Sequence, residues 1–418
     1  MTWPWRRRSA VELLGRWGTW RRRHAAAARV APSGVRRLVR AAAGLVERAL
    51  VAQAVPEVRR QVQEIAARHA RPRATIVFLP ALEWDLPLFQ RPQQLALALA
   101  ELGALVFYVE PAHAGPLVLT ARAERLYVGP VPLRGLSVLD RPVAWTLCWN
   151  ARHLEALTRP VVLYDHIDEL SVFDHSARIL AAAHARLVST ADVVLVTARR
   201  LEAALRPERP DLRLVPNGVD LEHFARARQP GPRPEEWQGV VTPGRPVIGY
   251  YGALARWFDY ALVGQAASAR PGYEFVLIGP DHDGTLRSSG LLAQPNVRWL
   301  GPVRYERLPE HVRAFDVATI PFVVDAVTHA VSPLKLFEYM AAGRPIVITA
   351  MEESLRYPGP LVAYTAAELP GRLDEALARR GDAVHQAELA RVAAANTWRE
   401  RAGRVLAALD ERRPAAAH

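Results

Sequence analysis

The sequence predicts an α/β protein with two Rossmann-like domains facing each other across a cleft, preceded by a mainly helical N-terminal extension. Three observations predict this fold. The chain has 418 residues, more than one ordinary core needs. From residue 74 onward, short β-rich apolar runs alternate with helical stretches, and the alternation occurs twice. Between the two series, residues 225–246 contain five prolines and three glycines, which disfavour regular structure and indicate a linker.

The first series opens with a βαβ unit. A buried strand at Thr75–Pro80 and a second strand at Ala104–Val109 flank a helix at Arg91–Leu102, whose Pro92 suits a first turn. A less regular stretch extends to about residue 145. The later elements are strands at Val161–Tyr164, Val193–Val196 and Leu212–Val215, with one helix ending near Arg186 and another beginning at Arg199.

The second series repeats this alternation. Its predicted strands are Val247–Tyr251, Phe275–Ile278, Val297–Leu300, Val317–Ile320 and Pro345–Ile348, and its helices begin near Asp259 or lie at Tyr305–Ala314 and Pro333–Ala342. Open α/β sheets bind ligands at the carboxyl ends of their strands, so two such domains in tandem predict an interdomain site.

These patterns divide the chain into four segments. We expect a basic helical extension at 1–73, a first Rossmann-like domain at 74–230, a second at 245–395, and a C-terminal helix at 396–418 that packs back toward the first domain.

Positive charge is concentrated in the extension. Residues 1–73 hold 17 arginines and four glutamates, a net +13, so with +12 for the whole chain residues 74–418 carry −1. Arginine together with Trp3, Trp5, Trp17 and Trp20 suits the headgroup region of an anionic bilayer. A solvated or partner-packed helical appendage is the alternative, and no recognised nucleic-acid module follows the basic segment.

Composition indicates the cellular compartment in which the protein works. Cys148 is the single cysteine, which excludes an intramolecular disulfide and fits a reducing compartment. No run of about 20 apolar residues is present, and the early arginines leave no room for a signal peptide. We therefore expect a cytoplasmic protein that can be peripheral on the inner face of the cell membrane.

Several motifs in collinear order resemble one enzyme family. Pro216–Asp220 with Phe224 is similar to the segment that closes the first domain of family-4-like GT-B glycosyltransferases. Four segments here resemble the second domain of that family in their order and spacing. They are VIGYYGALARWFD, FVLIGP, NVRWLG and SPLKLFEYMAAGRP. The segments QRPQQLALALA and LYDHIDELSVF resemble the branch that builds bacterial cell-surface polysaccharides, such as the teichuronic acid and xanthan-type transferases.

The resemblance implies a donor site in the second domain. A diphosphate is held by a helix start and a cation, which Ser332, Pro333, Leu334 and Lys335 supply. Lys335 is the only lysine in the chain, which has 53 arginines. Arginine thus stands at almost every basic position, and the one lysine lies where a compact ammonium group and a planar guanidinium group are not interchangeable. An incidental surface lysine is the alternative.

Further donor contacts follow from the same resemblance. Glu338, on the same helix face as Lys335, corresponds to the glutamate that accepts ribose hydroxyls, although an i,i+3 salt bridge to Lys335 is the alternative. Gly252 allows the backbone to approach phosphate closely, and Arg256 is a second cation or a plain loop arginine. Gly279 and Val303 are expected to line the nucleobase pocket. Many relatives carry a glutamate at the position of Ala330, so the stereochemical outcome stays open.

The acceptor hydroxyl needs a base in the first domain. Asp165, His166 and Asp168 follow a buried strand at the expected cleft edge and are the leading candidates. Glu83 and Asp85 are a second option, and helix capping is the structural alternative for the aspartates.

No metal or other cofactor is expected, because the resemblance implies that a helix start and a cation hold the diphosphate of the nucleotide-diphosphate sugar donor. Asp281-His282-Asp283 has the DxD form of a metal site, but it follows a strand where this family has a turn. The sequence thus predicts a metal-independent glycosyltransferase with a nucleotide-sugar donor and a glycan or lipid-linked acceptor. A nucleotide-sugar epimerase of the same fold, or an inactive scaffold subunit, remains the alternative.

Overall fold

Two mostly parallel α/β sheets make up the protein and confirm the predicted fold class. The computed structural model describes residues 33–111, 116–172 and 177–412. The tryptophans of the extension and the first half of its arginine-rich segment, residues 1–32, lie outside this part of the chain. None of the helices within it is long and apolar enough to cross a membrane.

The first sheet has eight strands in the order β3-β4-β2-β1-β5-β6-β7-β8, all parallel except the edge strand β3. Its strands are β1 Thr75–Phe78, β2 Leu105–Val109, β3 Thr120–Ala123, β4 Leu126–Gly129, β5 Val143–Thr146, β6 Val161–His166, β7 Val193–Val196 and β8 Arg213–Leu214.

Three of these strands, β3, β4 and β5, lie in the stretch predicted to be less regular. Each has only four residues, and β3 (TARA) is mostly exposed, so no apolar alternation marks it. β5 is a central strand, paired with both β1 and β6. The prediction missed it because its place in the sheet depends on pairing with distant strands, which no local pattern encodes.

The second sheet has six parallel strands in the order β11-β10-β9-β12-β13-β14. They are β9 Val247–Tyr251, β10 Glu274–Ile278, β11 Val297–Trp299, β12 Val317–Ile320, β13 Ile346–Thr349 and β14 Leu361–Ala363. Their burial on both faces explains the continuous apolar runs in the sequence.

Helices cover both sheets. In chain order they are α1 Ser33–Arg68, α2 Arg91–Glu101, α3 Ala177–Thr190, α4 Arg199–Leu205, α5 Leu221–Ala225, α6 Tyr260–Ala269, α7 Thr285–Ser288, α8 Leu308–Arg313, α9 Ala326–His329, α10 Leu334–Ala341, α11 Leu369–Ala378, α12 Ala383–Ala394 and α13 Trp398–Asp410.

The N-terminal extension is helical where the structure describes it, and its last turns belong to the first domain. Val58, Val62 and Ile65 of α1 are buried against the residues around Leu136, at the spacing of one helix face. Gln61 exchanges two hydrogen bonds with the backbone of Leu119, at 2.8 and 3.0 Å. The apolar stripe of this part of α1 is therefore covered by protein.

Two further segments tie the halves of the chain together. The proline-rich stretch 225–246 carries a buried Trp237, whose indole N–H donates to His311 at 3.0 Å, so it packs on the second domain. Helix α13 begins after the second sheet and packs on α2, and its Trp398 and Leu406 are buried in the core of the first domain.

Candidate active site

Lys335 lies in a recess at the carboxyl end of β9. The backbone of Gly252 has φ +136°, and a Cβ placed there would lie 2.0 Å from Lys335 Cε and 2.7 Å from Nζ. The rings of Tyr250 and Phe322 each have their centroid 5.8 Å from Nζ. Burial lowers the pKa of Lys335, and Glu338 opposes that shift. No carboxylate of the described residues forms an ion pair with it, so its charge is available to a ligand.

Glu338 is buried one turn further along α10. It is 1% exposed, and the Tyr251 hydroxyl donates to its Oε2 atom. Burial raises the pKa of Glu338, while this hydrogen bond and Lys335 oppose the rise. The alternative of an i,i+3 salt bridge to Lys335 is not what the structure shows. Its Oε1 atom has no hydrogen-bond partner among the described residues and is the acceptor left for ribose hydroxyls.

The start of α10 is held against the first domain. The Ser332 hydroxyl accepts from the Asn217 amide at 3.1 Å, and the Ser332 carbonyl accepts from Asn217 Nδ2 at 2.7 Å. Pro333 is the residue before the helix, and Leu334 packs on the core of the first domain. The helix tip predicted to bind diphosphate is therefore positioned by both domains.

Gly279 lies directly beside Gly252. Its φ is also +136°, and a Cβ there would lie 1.9 Å from the Gly252 carbonyl oxygen. The Gly279 carbonyl accepts from the Trp299 indole N–H at 2.8 Å. The absence of a side chain at Gly279 thus serves backbone packing first.

Val303 is half-buried against the core of the second domain, and no contact among the described residues brings it to Lys335.

Arg256 extends across the cleft. Its backbone amide donates to Asp283 at 2.9 Å, and its Nη2 donates to the carbonyl oxygen of Ser171 at 3.2 Å. Ser171 lies three residues after Asp168, the predicted base. The guanidinium therefore lies where the donor side of the cleft meets the acceptor side.

Asp165, predicted as a base, is instead part of a buried ion pair. Arg91 Nε and Nη2 donate to its two oxygens at 2.9 Å each, and the Trp145 indole adds a bond at 3.2 Å. The Arg91 and Asp165 side chains are only 5% and 0% exposed. The expectation that Asp165 is open to an acceptor is wrong, because β6 runs on to His166 and keeps both residues inside the sheet.

His166 is likewise buried and is a poor proton acceptor. Its Nδ1 lies 3.3 Å from the Tyr164 hydroxyl, which also lies 2.7 Å from His184 Nδ1. Burial, with a smaller contribution from His184, lowers the pKa of His166 to about 3. An imidazole that stays neutral through the physiological range holds protons too weakly for the predicted role.

Asp168 is the member of this group that keeps access to the cleft. Its side chain is half-buried and makes no hydrogen bond to the other described residues. Burial raises the pKa of Asp168 to about 7; Arg91 opposes the shift, and Asp165 and Glu169 add to it. Glu83 and Asp85 were the second option for the base. Asp85 is paired with Arg122 at 2.7 Å, and the backbone carbonyl of Glu83 accepts a hydrogen bond from Gln93.

Comparisons with known proteins point to the same part of the chain. Residues 245–378, which contain Lys335 and Glu338, match the family model "Glycosyl transferases group 1". The chain is 27% identical over 233 residues to the proposed teichuronic acid biosynthesis glycosyltransferase TuaH of Bacillus subtilis. That alignment covers 53% of this chain and 57% of the relative, so the match spans little more than half of either protein.

Solved structures share the fold over most of the chain. A sucrose-phosphate synthase from Thermosynechococcus elongatus superposes with a TM-score of 0.63 at 17% identity, covering 81% of this chain and 98% of that one. Anabaena HepE, solved in complex with UDP and glucose, gives a TM-score of 0.56 at 17% identity, covering 81% and 100%. The chain has the GT-B fold, and its residues 245–378 match the group 1 glycosyl transferase model. The resemblance to the teichuronic acid branch is confirmed as well.

The DxD segment of this GT-B chain acts as a local cap. Asp281 accepts from the backbone amides of Leu286 and Arg287 at 3.2 and 3.3 Å, and Asp283 accepts from Arg256 and Thr285. Within the described ranges no group of three or more histidine, cysteine or acidic residues is placed to hold a metal ion.

Sequence analysis overlooked several residues that build the GT-B cleft. Arg91, Asn217, Tyr251 and Ser171 were not singled out, although all four lie inside the quoted motifs. A charged residue at the first position of a helix whose other face is apolar is a usable signal for Arg91. Tyr251 gives none, since it reads as one more residue of a buried strand.

Proposed function

We propose that the chain transfers a sugar from a nucleotide-diphosphate sugar to a glycan or lipid-linked acceptor in cell-surface polysaccharide synthesis. The unpaired Lys335 in the recess beside Gly252 is the observation that carries this proposal. It supplies a fixed cation next to a helix start, inside the segment that matches the group 1 transferase domain. The relative TuaH by its name, and HepE by its bound UDP and glucose, support the same substrate class.

In the proposed reaction the acceptor hydroxyl attacks the anomeric carbon of the donor sugar. Asp168 takes the hydroxyl proton, the new glycosidic bond forms, and the bond between the anomeric carbon and the phosphate oxygen breaks. The departing nucleoside diphosphate carries the negative charge that develops. Lys335 and Arg256 neutralise it, with the backbone amides at the start of α10, and we propose that no metal is needed.

Asp168 is suited to this role because its pKa is raised by burial to about 7, near the pH at which it must accept a proton. Its neighbour Ser171 accepts a hydrogen bond from Arg256. The base and the second cation therefore lie in one connected arrangement across the cleft, and proton acceptance takes place close to phosphate departure.

Ala330 favours a second candidate function. It is fully buried and packs against the part of the first domain that contains Tyr164 and Leu180, so no carboxylate occupies this position near the donor sugar. An inactive subunit that binds the nucleotide sugar and scaffolds an assembly complex would keep Lys335 without turnover.

Incubation of the full chain with UDP- and GDP-sugars distinguishes these functions. Slow release of free sugar and nucleoside diphosphate is the expected result for a transferase without its acceptor. Formation of an epimeric donor would identify an epimerase instead. Donor binding without any release, with or without candidate acceptors, would identify the scaffold. Lys335→Gln should weaken donor binding about 10- to 100-fold in every case, whereas the exposed Arg399→Gln is the matched control.

We further propose that residues 1–73 hold the protein on the inner face of the cell membrane. Their net charge of +13 suits an anionic surface, where each basic residue near the headgroups contributes about 1 kcal/mol. Because α1 from Val58 onward packs on the first domain, the contact must come from the residues before it.

Deletion of residues 1–32 tests the membrane proposal without disturbing that packing. The deleted protein should lose co-sedimentation with phosphatidylglycerol-containing vesicles, and the full chain should lose it at high salt because the attraction is screened. Equal vesicle binding by both proteins would contradict the proposal.

A further inference from the structure

A pocket separate from the Lys335 recess opens between the two domains. It has a volume of about 320 Å³, within the lower part of the range of small-ligand sites. Trp84 and Phe89 come from the loop after β1, and Tyr305 comes from the loop after β11. Both loops follow the carboxyl ends of strands, which is the edge where open α/β sheets bind ligands.

The walls of this pocket are flat aromatic rings. Phe89 lies 5.1 Å from Tyr305 between ring centroids, and Trp84 meets Phe89 edge to face at 5.3 Å. His223 stacks on Tyr305 at 4.3 Å with an interplanar angle of 7°. Gln94 Nε2 of the first domain donates to the Tyr305 hydroxyl of the second domain at 2.7 Å, so this wall is held by both domains. Trp84 and Tyr305 are only 7% and 8% exposed and support the wall from behind, so the half-buried Phe89 and His223 are the rings that a sugar can contact with its C–H face.

Arg226 adds a positive charge at the rim. Its Nε donates to the His223 carbonyl at 3.2 Å and its Nη2 to the Glu306 carbonyl at 2.7 Å, both neutral acceptors. No carboxylate in the described part of the chain pairs with it, whereas the nearby Arg122 is paired with Asp85. The guanidinium is therefore oriented by carbonyl groups and keeps its charge for a ligand.

We propose that this pocket binds a sugar ring that carries a carboxylate or a phosphate, as a subsite for the acceptor glycan. The aromatic walls receive the apolar face of the ring, and Arg226 binds the anionic group. Because the walls come from both domains, binding there also favours one relative position of the domains. This assignment rests on the proposed function and adds to it the chemical class of the acceptor.

Saturation-transfer NMR on the full chain tests the assignment, with saturating UDP present to occupy the donor recess. The probes are glucuronate, glucose 1-phosphate and neutral glucose. We expect at least one anionic sugar to bind about 10-fold more tightly than glucose, as a charge-assisted bond implies. Glucuronate alone would indicate a uronic acid unit, and glucose 1-phosphate alone a sugar phosphate.

Variants locate the binding. Arg226→Gln should remove the preference for the anionic sugar, and Phe89→Ala should weaken all three probes. The exposed Arg399→Gln is the matched control and should change nothing, since neither Arg399 nor its partner Glu101 lines the pocket. Thermal unfolding of each variant checks its folding.

Equal binding of all three sugars, or an unchanged preference in Arg226→Gln, would overturn the assignment. A UDP titration of the same variants is independent of it. If UDP binds normally while the sugar preference is absent, the pocket assignment alone fails; if UDP does not bind, the proposed donor site fails.

Discussion

Gly252→Ala should disable the donor recess. The residue has φ +136°, a backbone conformation that L side chains rarely adopt, so the substitution should cost about 1–3 kcal/mol of folding stability. The new Cβ would overlap Lys335 Cε at 2.0 Å. The lysine stem can swing away, but the ammonium group then leaves its position. Loss of that charged contact corresponds to about 1.5–3 kcal/mol, or roughly 10- to 100-fold weaker UDP binding.

Gly264→Ala is the control for this experiment. Gly264 lies inside α6 in the same domain, and the nearest atom to its added Cβ is Leu291 Cδ1 at 3.6 Å, an ordinary contact. Alanine in a helix interior should stabilise the protein by about 0.5–1 kcal/mol and leave UDP affinity unchanged. Urea unfolding and calorimetric UDP titration measure both effects. If Gly252→Ala keeps its stability and its UDP affinity, the recess geometry described here is refuted.

Four other predictions concern the first domain and the cleft. Asp165→Asn should cost about 3–5 kcal/mol of stability in urea unfolding, because it leaves the Arg91 guanidinium buried without its counter-charge. Asp168→Asn should not lower stability near pH 7, because the ionised carboxylate that it replaces disfavours the folded state there, yet it should reduce donor turnover about 10²- to 10⁴-fold; similar stability losses in both variants would argue against separate roles. Turnover should rise with pH and level off above about 7 as Asp168 ionises. The same raised pKa should make the folded state less stable as pH rises from about 4 to 7, because the carboxyl of the unfolded chain ionises first. Activity should persist in EDTA, and its loss with recovery on adding a divalent cation would contradict metal independence.

Long, strongly apolar elements were predictable from sequence, and short or exposed ones were not. The strands Val193–Val196, Val247–Tyr251 and Val317–Ile320 were predicted with their observed bounds, because burial on both faces gives a continuous apolar run. The central strand Val143–Thr146 was missed because its position depends on pairing with distant strands, and no local pattern encodes that.

The site was predictable where one short motif encodes it. Lys335 and Glu338 share a helix face, and the packing of α10 beside the end of β9 brings Lys335 to Gly252 and Glu338 to Tyr251. The roles within the Asp165–Asp168 segment could not be separated in the same way. Which carboxylate is enclosed depends on Arg91, located 74 positions earlier in the chain, and that contact exists only in the folded protein.

Calorimetric titration of UDP and GDP into the full chain and into Lys335→Gln tests the central claim most directly. The exposed Arg372→Gln, in the same domain, serves as the matched control. The account predicts that at least one nucleotide binds the full chain and the control equally, and binds Lys335→Gln about 10- to 100-fold more weakly. Failure of both nucleotides to bind the full chain, or equal binding by Lys335→Gln, would contradict it.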